Sequence, residues 1–273
     1  MRKHRPISLL NTGGKLLEEL LIDRINHHLH TNNLLNSNQF GLTPPKSTVD
    51  AAMAAKQYAF SHIQQRHYII MTRLDVQGAF DSAYWPSKLN NLRTLKCPRN
   101  LYSLVRSYFS DRVAILHTNT HRVERKVTKG CSQGSCCSPG LWNVLYNDLL
   151  NKKYSSHTKL IAFADNIAML TYGKTLSEAE AYANSDFAVT GKWARENKMK
   201  FNEAKSKVLL ISSKRRRRNV TIFLNNRKVE QVNVMKYLGI HFDSRLTFYK
   251  QIDQLADKSK ALIYMLNRTA KLH

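Results

Sequence analysis

Two short apolar runs, Leu160-Ile161-Ala162 and Ile167-Ala168-Met169-Leu170, flank Phe163-Ala164-Asp165-Asn166. Runs this short and this close together are best joined as an antiparallel hairpin, which puts a carboxylate at the turn. Far upstream, Ile69-Ile70-Met71-Thr72-Arg73-Leu74-Asp75 runs apolar into a second acid, followed by Val76-Gln77-Gly78-Ala79-Phe80-Asp81. Taken singly each acid has an ordinary reading, since Asp often starts a turn and Asp165-Asn166 suits a type I′ hairpin. Taken together, two acids at strand ends suggest a two-metal site. Phosphoryl transfer needs its attacking and leaving oxygens neutralised, and two Mg²⁺ ions roughly 3.5–4 Å apart do this when clamped between shared carboxylates.

Between the acids lies Lys129-Gly130-Cys131-Ser132-Gln133-Gly134-Ser135-Cys136-Cys137-Ser138-Pro139-Gly140-Leu141-Trp142-Asn143, small residues leading into a helix opened by Ser138 and Pro139. With this segment the chain resembles the reverse transcriptase domain of non-LTR retrotransposons, most like the jockey-like elements of insects. The resemblance covers almost the whole chain, with the motifs in family order. Arg5 to Leu10 resembles the fingers motif, and Gln39-Phe40-Gly41 through Lys46 to Ala51 the "Q-x-G-F…S-T" element. Asp75 to Asp81 resembles the first catalytic motif, Gly130 to Pro139 the "G-C-P-Q-G-S…S-P" motif, and Phe163 to Asn166 the "F-A-D-D" motif. Trp193 through Asn202 and Lys205 resembles the next element, and Lys236-Tyr237-Leu238-Gly239 the primer grip, with Asp243 to Phe248 as its follow-on.

The resemblance implies an RNA-directed DNA polymerase that extends a DNA primer on an RNA template with deoxynucleoside triphosphates and two Mg²⁺ ions, Mn²⁺ being a possible substitute. By the same resemblance Asp75 and Asp165 bind metal, with the Val76 carbonyl as an extra ligand. Phe80 would block a ribose 2′-hydroxyl, Gln133 would contact the incoming nucleotide or its template pair, and Lys205 would protonate the pyrophosphate. Arg5 would neutralise the triphosphate, because guanidinium grips phosphate oxygens bidentately. Lys236 to Gly239 would place the primer. Read from residue type alone, Phe80 also suits a core position, Gln133 a loop amide and Lys205 a solvated charge alternating with Lys207. Asp81 is expected to cap the helix begun near Trp85-Pro86.

The chain departs from the family pattern at Ser132, where Pro is usual, and at Asn166, where the second Asp of "F-A-D-D" belongs. An amide keeps the shape and one acceptor oxygen but loses a full negative charge beside the cations, where removing one stabilising group costs ~10²–10³ in rate. The alternative to a working polymerase is therefore a catalytically inactive nucleic-acid-binding remnant of a decayed element.

Charge agrees with a polyanionic partner: 43 Lys and Arg stand against 19 Asp and Glu, a formal +24. Binding to such a backbone weakens steeply with salt through counterion release. No apolar run approaches the ~20 residues that span a bilayer, and Met1 to Pro6 lacks the apolar region of a signal peptide. The expectation is an intracellular protein, nuclear or cytoplasmic, with no membrane partner. Cys97, Cys131, Cys136 and Cys137 show no C-x-x-C spacing, so reduced thiols are expected and a structural zinc is not. Asn26-His27-His28-Leu29-His30 could bind metal but, on a helix end, is expected to face solvent or an RNA phosphate, and Lys214 to Arg218 reads as a phosphate contact, a solvated loop or an import signal.

Periodicity predicts helices over about 14–30 (through Leu16, Leu17, Leu20, Leu21, Ile25 and Leu29), 47–65, 85–95, 98–109, 139–150, 177–197 and 248–271. Strands are expected before Asp75, over 113–117 and 122–127, around Asp165, and over 207–211, 221–224, 228–231 and 236–242, these last four completing the sheet. This is an α+β pattern. In the resembled family it is a right-hand polymerase fold, with a palm sheet, helical fingers and a thumb mostly missing here: fingers 1–66, mainly palm 67–245, start of the thumb 246–273. The family's upstream endonuclease and zinc-binding tail are missing from this stretch, so a fragment of a larger element is expected.

Overall fold

A computed structural model describes residues 8–43, 45–118, 120–132, 134–214 and 218–270. Among them the elements follow in the order α1 (Thr12–Thr31), α2 (Thr48–Gln64), β1 (Tyr68–Leu74), α3 (Ala79–Ser82), α4 (Trp85–Thr94), α5 (Arg99–Tyr108), β2 (Val113–His117), β3 (Arg122–Lys126), α6 (Cys137–Leu150), β4 (Thr158–Phe163), β5 (Asn166–Gly173), α7 (Leu176–Glu196), β6 (Lys207–Ile211), β7 (Phe223–Leu224), β8 (Arg227–Lys228), β9 (Glu230–Val232), β10 (Val234–Tyr237), β11 (Ile240–Asp243) and α8 (Tyr249–Ala270). Local chemistry accounts for several boundaries. Ser47 and Asp50 form a reciprocal capping box that opens α2, and Thr175 and Glu178 do the same for α7.

The central sheet has the strand order β4-β5-β1-β6-β9, antiparallel except for the parallel β6–β9 edge. Strand β1 is flanked on both sides and covered on both faces, so its alternating side chains feed two cores. Tyr68, Ile70 and Leu74 pack with α6 and α7 residues such as Leu145, Tyr146 and Phe187. Ile69 and Met71 pack with the alanines of α2 and with Met235, Tyr237 and Phe242. A third cluster joins α1, α4, α5 and the start of α6.

Five expectations need correction. The span 221–224 does not join the main sheet, because β7 pairs with β8 in a two-stranded sheet of their own, and of 228–231 only Glu230 and Gln231, in β9, pair with β6. The span 236–242 is not one strand of the main sheet but the tip of a separate β10–β11 hairpin, because Leu238 and Gly239 adopt φ of 49° and 86° and reverse the chain. The buried stripe of α1 is Glu18, Leu21, Ile22, Ile25 and Leu29, whereas Leu16, Leu17 and Leu20 are exposed. Apolar spacing thus located the helix, while the facing helices chose the buried side. Asp81 lies within α3, and α4 starts after Tyr84 with no side-chain cap. Of the histidine cluster, His28 is tied by its ring to the Leu95 carbonyl at 3.0 Å, so it does not face solvent freely.

Candidate active site

Strand register brings the two acids together. Leu74 pairs with Ile167 across β1 and β5, so Asp75, one residue on, emerges opposite Asn166 and beside Asp165. Phe163 pairs with Asn166, so Ala164 and Asp165 form the two-residue turn and Asn166 begins the returning strand. The turn is therefore one residue earlier than an Asp165-Asn166 turn. The Asn166 amide donates to Asp165 Oδ1 at 3.2 Å, occupying a lone pair that a second carboxylate would have left free.

Ala164 sits at φ 51°, a left-handed conformation that strains a non-glycine residue. Two segments, α6 and residues 38–42, hold it there. The Trp142 indole on α6 donates to the Ala164 carbonyl at 3.0 Å. The backbone of residues 38–40 pairs with Ala162 through two bonds, from Phe40 N–H at 2.8 Å and to Asn38 O at 3.0 Å. Gly41 passes so close that a Cβ there would lie 2.1 Å from Ala164 N, and the neighbouring Asn143 amide donates to the Gly41 and Leu42 carbonyls. Only glycine admits that approach.

Beyond Asp75 the chain stays beside the segment leading into β6. Asn202 N–H donates to Asp75 O at 2.7 Å and Gln77 N–H to Lys200 O at 2.8 Å, bracketing a Val76–Phe201 bridge. Carbonyls alternate along an extended strand, so the Val76 carbonyl faces the opposite edge, on the β5 side where Asp165 stands. Gly78, at φ 55°, then turns the chain into α3. Phe80 is half-buried there, its ring 4.8 Å from that of Trp142. Its carbonyl accepts from Cys131 N–H at 2.6 Å, while Gly130 N–H reaches Ala83 O at 2.8 Å, so the glycine-rich loop is docked on the turn that follows Asp75.

The Lys205 ammonium stands 4.0 Å from Asp75 Oδ2 with both groups part-exposed, a weak and mobile ion pair. The Arg73 guanidinium donates to the carbonyls of Lys205, at 3.2 Å, and Lys236, at 2.9 Å, fastening the β10–β11 hairpin beside the acids. Of the four hairpin residues proposed by sequence, Lys236 and Gly239 are exposed and Leu238 half-buried. Tyr237 is wholly buried, its hydroxyl donating to Ile161 O at 3.4 Å and its pKa raised by burial. Arg5 and Gln133 lie outside the described residues.

Under the acids lies Tyr146, wholly buried, its hydroxyl without a hydrogen-bond partner among the described residues. Burial first, then the charges of Asp165 and Asp75, raise its pKa well above the ordinary value, so it is a neutral floor to the site. Sequence reading missed Tyr146, Trp142 and Arg73 as site residues. The signal for the first two was their four-residue spacing on one helix face directly after the glycine-rich loop; Arg73 had none, because its partners come from distant segments.

The donors that converge here are carboxylate and carbonyl oxygens with no imidazole or thiolate, a set suited to Mg²⁺ or Mn²⁺ rather than zinc. Among the described residues no group of three or more His, Cys, Asp or Glu side chains is placed to hold a metal, consistent with an amide at position 166. The two ends of the basic run lie elsewhere. Lys214 and Arg218 both stack on Tyr68, at the other end of β1, about 20 Å from Asp75 at ~3.3 Å per residue. Arg215 to Arg217 lie outside the described residues.

Residues 1–242 match the family described as reverse transcriptase (RNA-dependent DNA polymerase). The chain belongs to this family. Reverse transcriptase relatives from insects agree. The putative 115 kDa protein of type-1 retrotransposable element R1DM from Drosophila melanogaster is 28% identical over 98% of this chain and 25% of its own length. The RNA-directed DNA polymerase from mobile element jockey of the same species is 25% identical over 92% of this chain and 28% of its own. The chain thus spans about a quarter of these relatives. Among solved structures, apo telomerase from Candida tropicalis, truncated from its C-terminal domain, superposes with a TM-score of 0.61 at 10% identity, over 86% of this chain and 44% of that one. That likeness is one of fold: the right-hand reverse transcriptase fold, α+β, as the motifs implied. No helix among the described residues is long and apolar enough to cross a membrane.

Proposed function

We propose that this reverse transcriptase domain extends a DNA primer on an RNA template. The observation that carries the reading is the β1–β5 register, which sets Asp75 beside the Asp165 turn. Asp75, Asp165 and the Val76 carbonyl would hold two divalent cations, which when bound neutralise the primer 3′-oxygen and the triphosphate. Phe80 limits the space for a 2′-hydroxyl, braced from behind by Trp142. Lys205, loosely held by Asp75, is free to give a proton to the departing pyrophosphate. Arg5 neutralises the triphosphate, Gln133 contacts the incoming nucleotide or its template pair, and the exposed Lys236 and Gly239 meet the primer while Tyr237 anchors their hairpin. Residues 1–66 correspond to fingers, 67–245 mainly to palm and 246–273 to the start of a thumb, and the setting is intracellular, nuclear or cytoplasmic.

Primer extension on an RNA template, with Mg²⁺ and then Mn²⁺, tests the reading. Asp75→Ala is expected to lower extension at least ~10²–10³-fold while primer–template binding persists. Extension that survives Asp75→Ala refutes the metal assignment.

Asn166 favours a second reading, a domain that binds primer–template in a salt-sensitive manner without incorporation. Asn166→Asp discriminates: extension gained only in that variant means an intact fold with a disabled metal site, and extension by the natural chain discards the second reading.

A further inference from the structure

Two buried charged side chains outside the motifs grip the two ends of the glycine-rich loop. At its start, Lys88 of α4, 1% exposed, donates to Cys131 Sγ at 2.8 Å and to Gly130 O at 3.3 Å, where the Trp85 indole also donates at 2.7 Å. At its end, Glu18 of α1, 3% exposed, accepts from Cys136 N–H at 2.8 Å through Oε2 and from the Tyr108 hydroxyl at 2.6 Å through Oε1. The Tyr108 hydroxyl lies a further 3.2 Å from Ser135 Oγ.

Glu18 occupies a buried position on the otherwise apolar stripe of α1. Burying a carboxylate is costly unless hydrogen bonds repay it, and an apolar residue of similar size often serves stability as well or better. What Glu18 does that leucine cannot is accept two hydrogen bonds. One of them caps α6 from outside: Cys136 precedes α6 and offers no side-chain cap of its own, so a carboxylate from another helix stands at the positive end of the α6 dipole. Helix α6 then delivers that fixed position to the site, because its Trp142 holds both the Phe80 ring and the Ala164 carbonyl.

We propose that Glu18, acting through Cys136 and α6, is a positioning residue that sets nucleotide affinity and sugar discrimination. Lys88 fixes the other end of the same loop. The inference rests on the polymerase reading above. Its consequence is specific: loosening Glu18 lets the start of α6 and the Phe80–Trp142 pair shift relative to the acids, so the nucleotide loses more than the primer–template does.

The test compares the natural chain with Glu18→Ala, Glu18→Gln and Tyr108→Phe in primer extension, varying dATP and ATP. Glu18→Ala is expected to raise the KM for dATP about tenfold, with kcat changed less, and to narrow the preference for dATP over ATP. Glu18→Gln, whose amide oxygen still accepts from Cys136 N–H, restores most of the affinity, and Tyr108→Phe gives an intermediate effect. A parallel readout needs no chemistry: the dATP concentration that protects the protein–primer–template complex from a salt challenge. Failure of the natural chain to extend a primer counts against the polymerase activity, while the salt-challenge series still decides the role of Glu18. An unchanged dATP requirement in folded Glu18→Ala overturns the proposal. So does unfolding of Glu18→Ala combined with natural nucleotide affinity in Tyr108→Phe, which would make Glu18 purely structural.

Discussion

Two hairpin turns of this molecule solve the same backbone problem in opposite ways. Ala164-Asp165 and Leu238-Gly239 each reverse the chain in two residues, and each holds a non-glycine residue at positive φ. The first is braced from outside by Trp142, by the strand-like segment 38–40 and by the close passage of Gly41. The second is open on the Gly239 side, where a built Cβ meets nothing within 4 Å, while Leu238 is half-buried against the core. The difference matches the tasks proposed for them. A carboxylate that must hold cations in fixed geometry needs a turn whose conformation is imposed by packing. A turn that meets a moving primer strand can rely on its own backbone, its strands fastened below the turn by Arg73 and by the buried Met235, Tyr237 and Phe242.

Matched substitutions would break or sharpen this contrast. Gly41→Ala forces a methyl into the backbone of Phe163 and Ala164, and overpacking of this kind costs ~1–3 kcal/mol. Extension should fall steeply and the midpoint of thermal unfolding should drop. A Gly41→Ala protein that melts and extends like the natural one would show that the acid turn is not braced by this segment. Trp142→Phe keeps an aromatic ring against Phe80 but removes the hydrogen bond to Ala164 O. An effect of ~1 kcal/mol, about fivefold on extension, is expected from the lost bond, and the midpoint of unfolding should also drop, because the smaller ring leaves a cavity in the core. Gly239→Ala pays only for its φ of 86°, again ~1 kcal/mol of stability. It should leave the dNTP requirement unchanged, and a rise in that requirement would mean that the open hairpin is coupled to the nucleotide after all.

The smallest expected effect concerns pH. Asp243, at the end of β11, accepts backbone N–H bonds from Arg245, Thr247 and Phe248 and a hydroxyl bond from Thr247, building the turn into α8. Burial alone would raise its pKa, but these bonds together outweigh burial and bring it below the ordinary 3.8. The stabilisation is therefore complete above that ordinary value and fades as pH falls through the depressed folded-state value. Asp243→Asn should be slightly less stable at neutral pH and show a shallower acid limb. Identical acid limbs would remove Asp243 from the account of that turn.

Short-range chemistry carried most of the element map. The two short apolar runs around Asp165 announced its hairpin, Ser138 and Pro139 announced the start of α6, and the spacing on α1 announced a helix, all within a few residues of chain. It misjudged features whose causes are distant. The exposed Leu16, Leu17 and Leu20 could not be told from the buried Leu21 and Leu29 until α5 and α6 had chosen a face. The span from Lys236 to Phe242 looked like one strand because nothing in its apolar pattern records that Leu238 accepts a left-handed conformation.

By itself the sequence determined the identities of the two strand-end acids, the amide at Asn166, the glycine that can pass beneath a turn, and the excess of positive charge. Tertiary structure alone decided that Asp75 emerges beside Asp165, that Trp142 and Tyr146 lie behind and beneath them, that Tyr237 is an anchor, and that Glu18 and Lys88 grip the glycine-rich loop. The physical reason is range. Turn and capping preferences act over three or four residues and are written in the chain, whereas register, burial of a charge and the bracing of a strained turn depend on partners from distant segments and exist only once those segments have packed.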